Sequence, residues 1–185
     1  MDDFAPWRST QARLAARHGV LLAFAIVLWT LVVHLLGFYT VRIQYAAAVD
    51  QMALIIPVAI LTRALLQERR RRAGRLPFLP GVLTGAAIAV ISAPFTVIGL
   101  WAYHHFVNPE WLSYLIGNKR QELVAAGMSP DQIAPVIDQL RLSGGDRQQV
   151  VGGLVGSLVM GVVLSFLITS AVWLHDRRRL TSAGS

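Results

Sequence analysis

The chain has 185 residues, 55% of them hydrophobic, a formal net charge of +7 and no cysteine. A composition this apolar exceeds that of an ordinary soluble domain, and the lack of cysteine excludes disulfides, thiolate metal sites and cysteine nucleophiles. The positive charge does not point to nucleic acid, because the arginines fall in separate segments instead of along one basic face, and no nucleic-acid partner is expected.

The apolar residues are concentrated in four blocks, Gly19 to Phe38, Ala46 to Leu66, Pro80 to Tyr103 and Val150 to Leu174. Each holds about 20 or more mostly uncharged residues, enough at 1.5 Å per residue to cross about 30 Å of hydrocarbon. The expected fold is therefore an all-α membrane protein, four transmembrane helices with an amphipathic helical hairpin inserted between the third and fourth spans. The first block exceeds the apolar core of a signal peptide and ends in Phe38 and Tyr39, not in small residues, so it reads as a retained span.

In chain order, residues 1–18 read as an interfacial helix, with Trp7 and Leu14 sunk among headgroups and Arg8, Arg13 and Arg17 left wet. Residues 19–103 carry three spans, with a basic loop at 67–79. The connection from Thr40 to Tyr45 is short enough to make spans one and two antiparallel neighbours. Pro57 is expected to kink span two, and Pro94, with Ser92 nearby, to kink span three.

Residues 104–149 follow as the inserted hairpin. Asn108 reads as an N-cap and Pro109 as the first helical residue of a helix running to about Ala126, stopped by Gly127 in a left-handed conformation. Ser129, Pro130, Asp131 and Gln132 form a capping box, and Ile133, Ile137 and Leu140 give the next helix an apolar face. Pro135 is expected to bend or shorten that helix. Trp101, Tyr103, Trp111 and Tyr114 read as an aromatic belt at one interface. The fourth span covers 150–174 and a basic tail 175–185.

Three arginine-rich segments alternate with the spans. Arg8, Arg13 and Arg17 precede span one; Arg69, Arg70, Arg71, Arg72 and Arg75 lie between spans two and three; Arg177, Arg178 and Arg179 follow span four. The positive-inside rule places all three in the cytoplasm, hence both termini inside and the hairpin on the periplasmic or external side. Membrane lipid is an expected partner, since basic residues at the surface attract anionic headgroups by about 1 kcal/mol each.

The run HHFVNPEWLSYLIGNKRQELVAAGMSPDQIAPVIDQLRL, from His104 to Leu142 and flanked by a span on each side, resembles the bacterial membrane family catalogued as domain of unknown function 4199. Its members carry an aromatic residue leading to an acid or Asn before Pro, then a charged helix, then Gly-Met-Ser and an isoleucine helix. The resemblance implies four spans and a bacterial envelope, placing the chain in the inner membrane, and brings no activity, cofactor or catalytic residue. Pro135 and the pair Gly144, Gly145 depart from the more continuous helix it implies.

Small residues recur every fourth position on span four, at Gly153, Ser157, Gly161, Ser165 and Thr169, with Gly152 and Gly156 beside them; Gly81, Gly85, Ala89 and Ala93 repeat the pattern on span three. Such stripes let helices approach closely, either on each other or on a partner. His34 and Asp50 are ionisable residues inside apolar blocks, and with Gln51 they form the candidate buried polar site, since charge in hydrocarbon is costly and often marks transport. Two short-looped helices also use such a pair merely to tie their ends together.

His104 and His105 are adjacent and on a helix diverge by about 100°, which disfavours one metal gripped by both; no metal and no cofactor is expected. No nucleophile elbow, phosphate-cradling glycine loop or paired metal-spaced histidines occur, so the chain is not expected to be an enzyme. The expectation is an inner-membrane scaffold or accessory subunit, bound to other membrane subunits or to a second copy of itself. The alternative is a small oligomeric transporter or channel for protons or small solutes.

Overall fold

A computed structural model describes residues 5–72 and 74–182, with side chains described for 10–72, 74–145 and 148–176. Among them are seven α-helices and no strand: α1 (Ala5–Leu35), α2 (Ala46–Met52), α3 (Ile55–Arg71), α4 (Phe78–Ala102), α5 (Trp111–Ala125), α6 (Pro130–Ser143) and α7 (Asp146–Ser182). Four helical stretches are long and apolar enough to cross a membrane: Thr10–Leu35, Ile43–Arg71, Phe78–Val107 and Gln148–Asp176.

The register of contacts gives each helix its direction. Gly19 packs on Ile91 and Gly99 on Val27, numbers that rise together, so α1 and α4 run parallel. Gly81 meets Thr169, Gly85 meets Ser165 and Ala89 meets Gly161; here numbers fall on α7 as they rise on α4, so that pair is antiparallel. The start of α1, the α3–α4 turn and the end of α7 therefore share one end of the bundle, called here the Glu68 end. The α1–α2 turn, α5 and α6 lie at the other, the Tyr103 end. A core of Ala15, Leu22, Leu61, Ala64 and Ile88 joins α1, α3 and α4.

Several local expectations change. Residues 2–18 are expected as a separate interfacial helix, but from Ala5 they are the first turns of one unbroken α1, with Leu14 and Ala15 buried in the bundle. The reason is that Leu14, Ala15 and His18 continue the inward stripe of Leu22, and burial against α3 and α4 outweighs burial in headgroups. The side chains of Trp7 and Arg8 lie outside the described residues.

Pro57 does not kink a continuous span. The span is broken one turn earlier, at Ala53 and Leu54, and Pro57 sits in the first turn of α3, where a missing N–H costs nothing. Its ring excludes the carbonyl four residues back, which belongs to Ala53, so the break falls where that carbonyl would have to point. Pro94 stays inside α4, while Ser92 Oγ donates to the Ala89 carbonyl at 3.1 Å.

α1 ends in a Schellman turn, with Gly37 at φ +80° and Phe38 N–H donating to the Val33 carbonyl. Gly127 closes α5 the same way, at φ +79°, with Met128 N–H on Leu123 O. The Ser129–Gln132 capping box opens α6. Pro135 neither breaks nor shortens α6, which runs 14 residues and buries Ile133 and Ile137.

Candidate functional site

At the Tyr103 end α4 does not pass directly into α5. Residues Tyr103–Val107 form one π turn, with Asn108 N–H bonded to the Tyr103 carbonyl at 2.9 Å. A π turn places residues five apart on one face, and such turns recur at functional positions. Here it aims both Tyr103 and Asn108 into the bundle, each 3% exposed. Asn108 is thus not the N-cap of α5. That helix starts at Trp111 with Glu110 before it, and the Asn108 amide donates to Tyr103 Oη at 3.1 Å and to the Tyr39 carbonyl at 3.3 Å. Two bonds in a buried wall outweigh one at an exposed cap.

Tyr103 Oη also lies 3.0 Å from His34 Nδ1, their rings edge to face at 5.5 Å. The hydroxyl accepts from Asn108, and the direction of its bond to His34 follows the imidazole tautomer. Tyr39 Oη donates to Asp50 Oδ1, and its ring is 6.2 Å from that of Tyr103. Burial, then the Asp50 carboxylate, raises the Tyr39 pKa above the ordinary phenol value, so Tyr39 stays neutral.

His34 and Asp50 are therefore brought into one polar chain, but through Tyr103, Asn108 and Tyr39 between them. Asp50 is exposed and His34 half-buried; Gln51 is exposed and adds no bond to the chain.

Tyr39, Asp50, Tyr103 and Asn108, but not His34, form one wall of a cavity of about 390 Å³, whose other walls include Ile26, Trp29, Thr30, Leu100, His104, Trp111 and Leu115. Trp29 Nε1 is buried there with no hydrogen-bond partner among the described residues. A buried donor without an acceptor is costly, and this one is covered by protein and does not open onto the cavity. Trp29, Tyr39 and Asn108 were not selected as site residues by sequence. Their signal was slight, one aromatic in an apolar block and one Asn-Pro that resembles a cap.

The three histidines near this end part company. His34 goes to Tyr103, His104 packs on Trp111 at 4.4 Å, and His105 stacks on Trp101 at 5.2 Å and 9°. Among the described residues no three His, Asp or Glu side chains converge as metal ligands. Of the four aromatics expected as a belt, Trp101 and Tyr114 are exposed, but Tyr103 belongs to the interior.

At the Glu68 end two arginines are paired with buried or half-buried acids. Glu68, 3% exposed, accepts from Arg72 Nε at 2.6 Å and from Gln11 at 3.3 Å, and Gln11 also reaches Thr84. Arg69 bridges to Asp176 at 2.5 Å, tying α3 to α7. Two members of the basic cluster are thus internal ties, whereas Arg70, Arg71 and Arg75 are exposed. The side chains of Arg177, Arg178 and Arg179 lie outside the described residues.

The seam between α4 and α7 uses Gly81, Gly85, Ala89, Gly153, Gly161 and Ser165, with Ser157 falling in the same register. A methyl added at Gly81 would lie 2.6 Å from Thr169 Cγ2, and one at Gly85 or Gly161 would run into Ser165 or Ala89. Gly152 and Gly156 stand apart from it: a methyl there meets nothing within 4 Å. Gly156 instead edges a groove of about 250 Å³ that Leu54 and Pro57 border at the α2–α3 break.

Four long apolar helices, tied by charge at one end and enclosing a lined cavity at the other, define a multi-pass, all-helical membrane protein. The chain belongs to the family described as protein of unknown function DUF4199, which it matches over residues 17–173. No match to a curated protein or to a solved structure was found.

Proposed function

We propose that this chain is a non-enzymatic integral protein of a bacterial inner membrane that works by association, as a scaffold or accessory subunit of a larger membrane complex. Its termini are cytoplasmic, and the amphipathic hairpin formed by α5 and α6 is external, since the Glu68 end collects the arginine-rich segments. The observation that carries the reading is the groove at the α2–α3 break. Breaking span two leaves an apolar channel beside α7, and Gly156 puts no side chain in the way of a helix laid along it.

The test is gentle extraction followed by identification of co-migrating proteins, for wild type and Gly156→Leu. A stoichiometric membrane partner is expected with wild type and lost with Gly156→Leu, while the isolated variant keeps its thermal stability. A monodisperse, solitary wild-type chain would overturn the proposal.

A second reading, a small oligomeric transporter or channel for protons or small solutes, draws on the cavity at the Tyr103 end, which Tyr39, Asp50, Tyr103 and Asn108 line. It requires a pH-dependent flux in proteoliposomes that His34→Ala abolishes. No flux in wild type, or equal flux in the variant, removes it.

A further inference from the structure

We infer that the chain holds an anionic glycerophospholipid by its phosphate in the cavity between α1 and α3 near the Glu68 end. That cavity, about 790 Å³, is lined on α3 by Arg63, Gln67 and Arg70, at i, i+4 and i+7 of one face, and on α1 by Arg17, His18 and Leu21. No described acidic side chain pairs with Arg17, Arg63 or Arg70. This is unlike neighbouring Arg69 and Arg72, whose guanidiniums are taken by Asp176 and Glu68. The ring of His18 is held in this wall by its Nδ1, which lies 2.9 Å from the Leu14 carbonyl.

The placement of these arginines selects the ligand. α3 ends at Arg71, so Arg63 lies about 12 Å along the helix from that end, well into an apolar span. A guanidinium at that depth requires an anion that also tolerates hydrocarbon. The cavity is graded in that sense. Gln11 on α1 meets Glu68 on α3, and the same antiparallel register sets Arg17 level with Arg63 and Leu21 one turn deeper.

Phosphate oxygens fit the forked donors of the upper level, and acyl chains fit the apolar level below. Leu21, an exposed cavity wall at that deeper level, would be covered by those chains and left wet by free phosphate. Three unpaired guanidiniums also exceed the charge of one phosphodiester, so a lipid with two phosphates binds more tightly than a lipid with one.

The test is native mass spectrometry of the full chain released from vesicles of phosphatidylcholine alone, or mixed with phosphatidylglycerol or with cardiolipin. Soluble inorganic phosphate is added to a separate phosphatidylcholine sample. Wild type should retain one tightly bound anionic lipid, cardiolipin over phosphatidylglycerol, and no phosphate adduct. Arg63→Gln and Arg17→Gln should each reduce retention at least about tenfold, the loss expected of one charge-assisted hydrogen bond. Arg75→Gln, an exposed arginine outside the cavity, should reduce it no more than about fivefold, the contribution of one surface charge.

Equal losses in Arg75→Gln and Arg63→Gln would make the attraction diffuse and overturn the site. Retention of inorganic phosphate in place of lipid would overturn the lipid assignment. Because the variants stand in exposed positions, unchanged thermal unfolding in phosphatidylcholine serves as the folding control.

Discussion

The α4–α7 seam and the cavity at the Tyr103 end are made from opposite resources. The seam removes side chains until two backbones nearly touch, whereas the cavity gathers polar side chains around a space that none of them fills. At Gly85 and Gly161 the addition of one methyl is already too much. Around Trp29 a donor is left without an acceptor. Close packing leaves little tolerance for change, and an unfilled polar wall leaves room for a ligand. The first region fastens two helices along their backbones, and the second encloses a space at the Tyr103 end.

The contrast is broken most directly at Gly161. Gly161→Leu should cost about 3 kcal/mol or more through overpacking against Ala89, read as a large fall in the thermal midpoint in detergent. An unchanged midpoint would mean the seam is not the main fastening. Tyr103→Phe deletes the hydroxyl shared by Asn108 and His34 and should cost about 2 kcal/mol, because both partners stay buried without it. Chemical unfolding of the purified variant measures this, and a loss below half that value would show that water replaces the hydroxyl readily.

The smallest effect is expected at Asp50, and it appears only in alkali. The folded state holds the Tyr39 proton above the unfolded phenol pKa of about 10, so stability from this group is complete below that pH and falls as pH rises above it. Asp50→Asn removes one cause of the raised value, so its decline above about pH 10 should be shallower than in wild type. Parallel declines would detach Tyr39 from Asp50.

Four spans, the arginine distribution, the Gly127 stop and the Ser129 capping box were all legible in the sequence, because each depends on local composition or on contacts within a few residues. The stripes of small residues were legible too, but not their allocation. Gly153 and Gly161 face α4 while Gly152 and Gly156 do not, a difference of about 100° around one helix that periodicity alone leaves open. His34 and Asp50 stand out in the sequence as ionisable residues in apolar blocks. The Tyr103, Asn108 and Tyr39 groups between them were missed, since Asn-Pro reads equally well as a cap.

Residue order alone is enough to locate four helices long and apolar enough to cross a membrane and the basic segments between them, because hydrocarbon imposes length and charge rules on each segment independently. Only the tertiary structure decided the rest: the break ahead of Pro57, the π turn that points Tyr103 and Asn108 inward, the pairing of Arg69 and Arg72, and the freedom of Arg63. Each of these is settled by which helix stands opposite. The arginines of α3 are nearly alike in sequence and become different only when Asp176, Glu68 or an open cavity faces them.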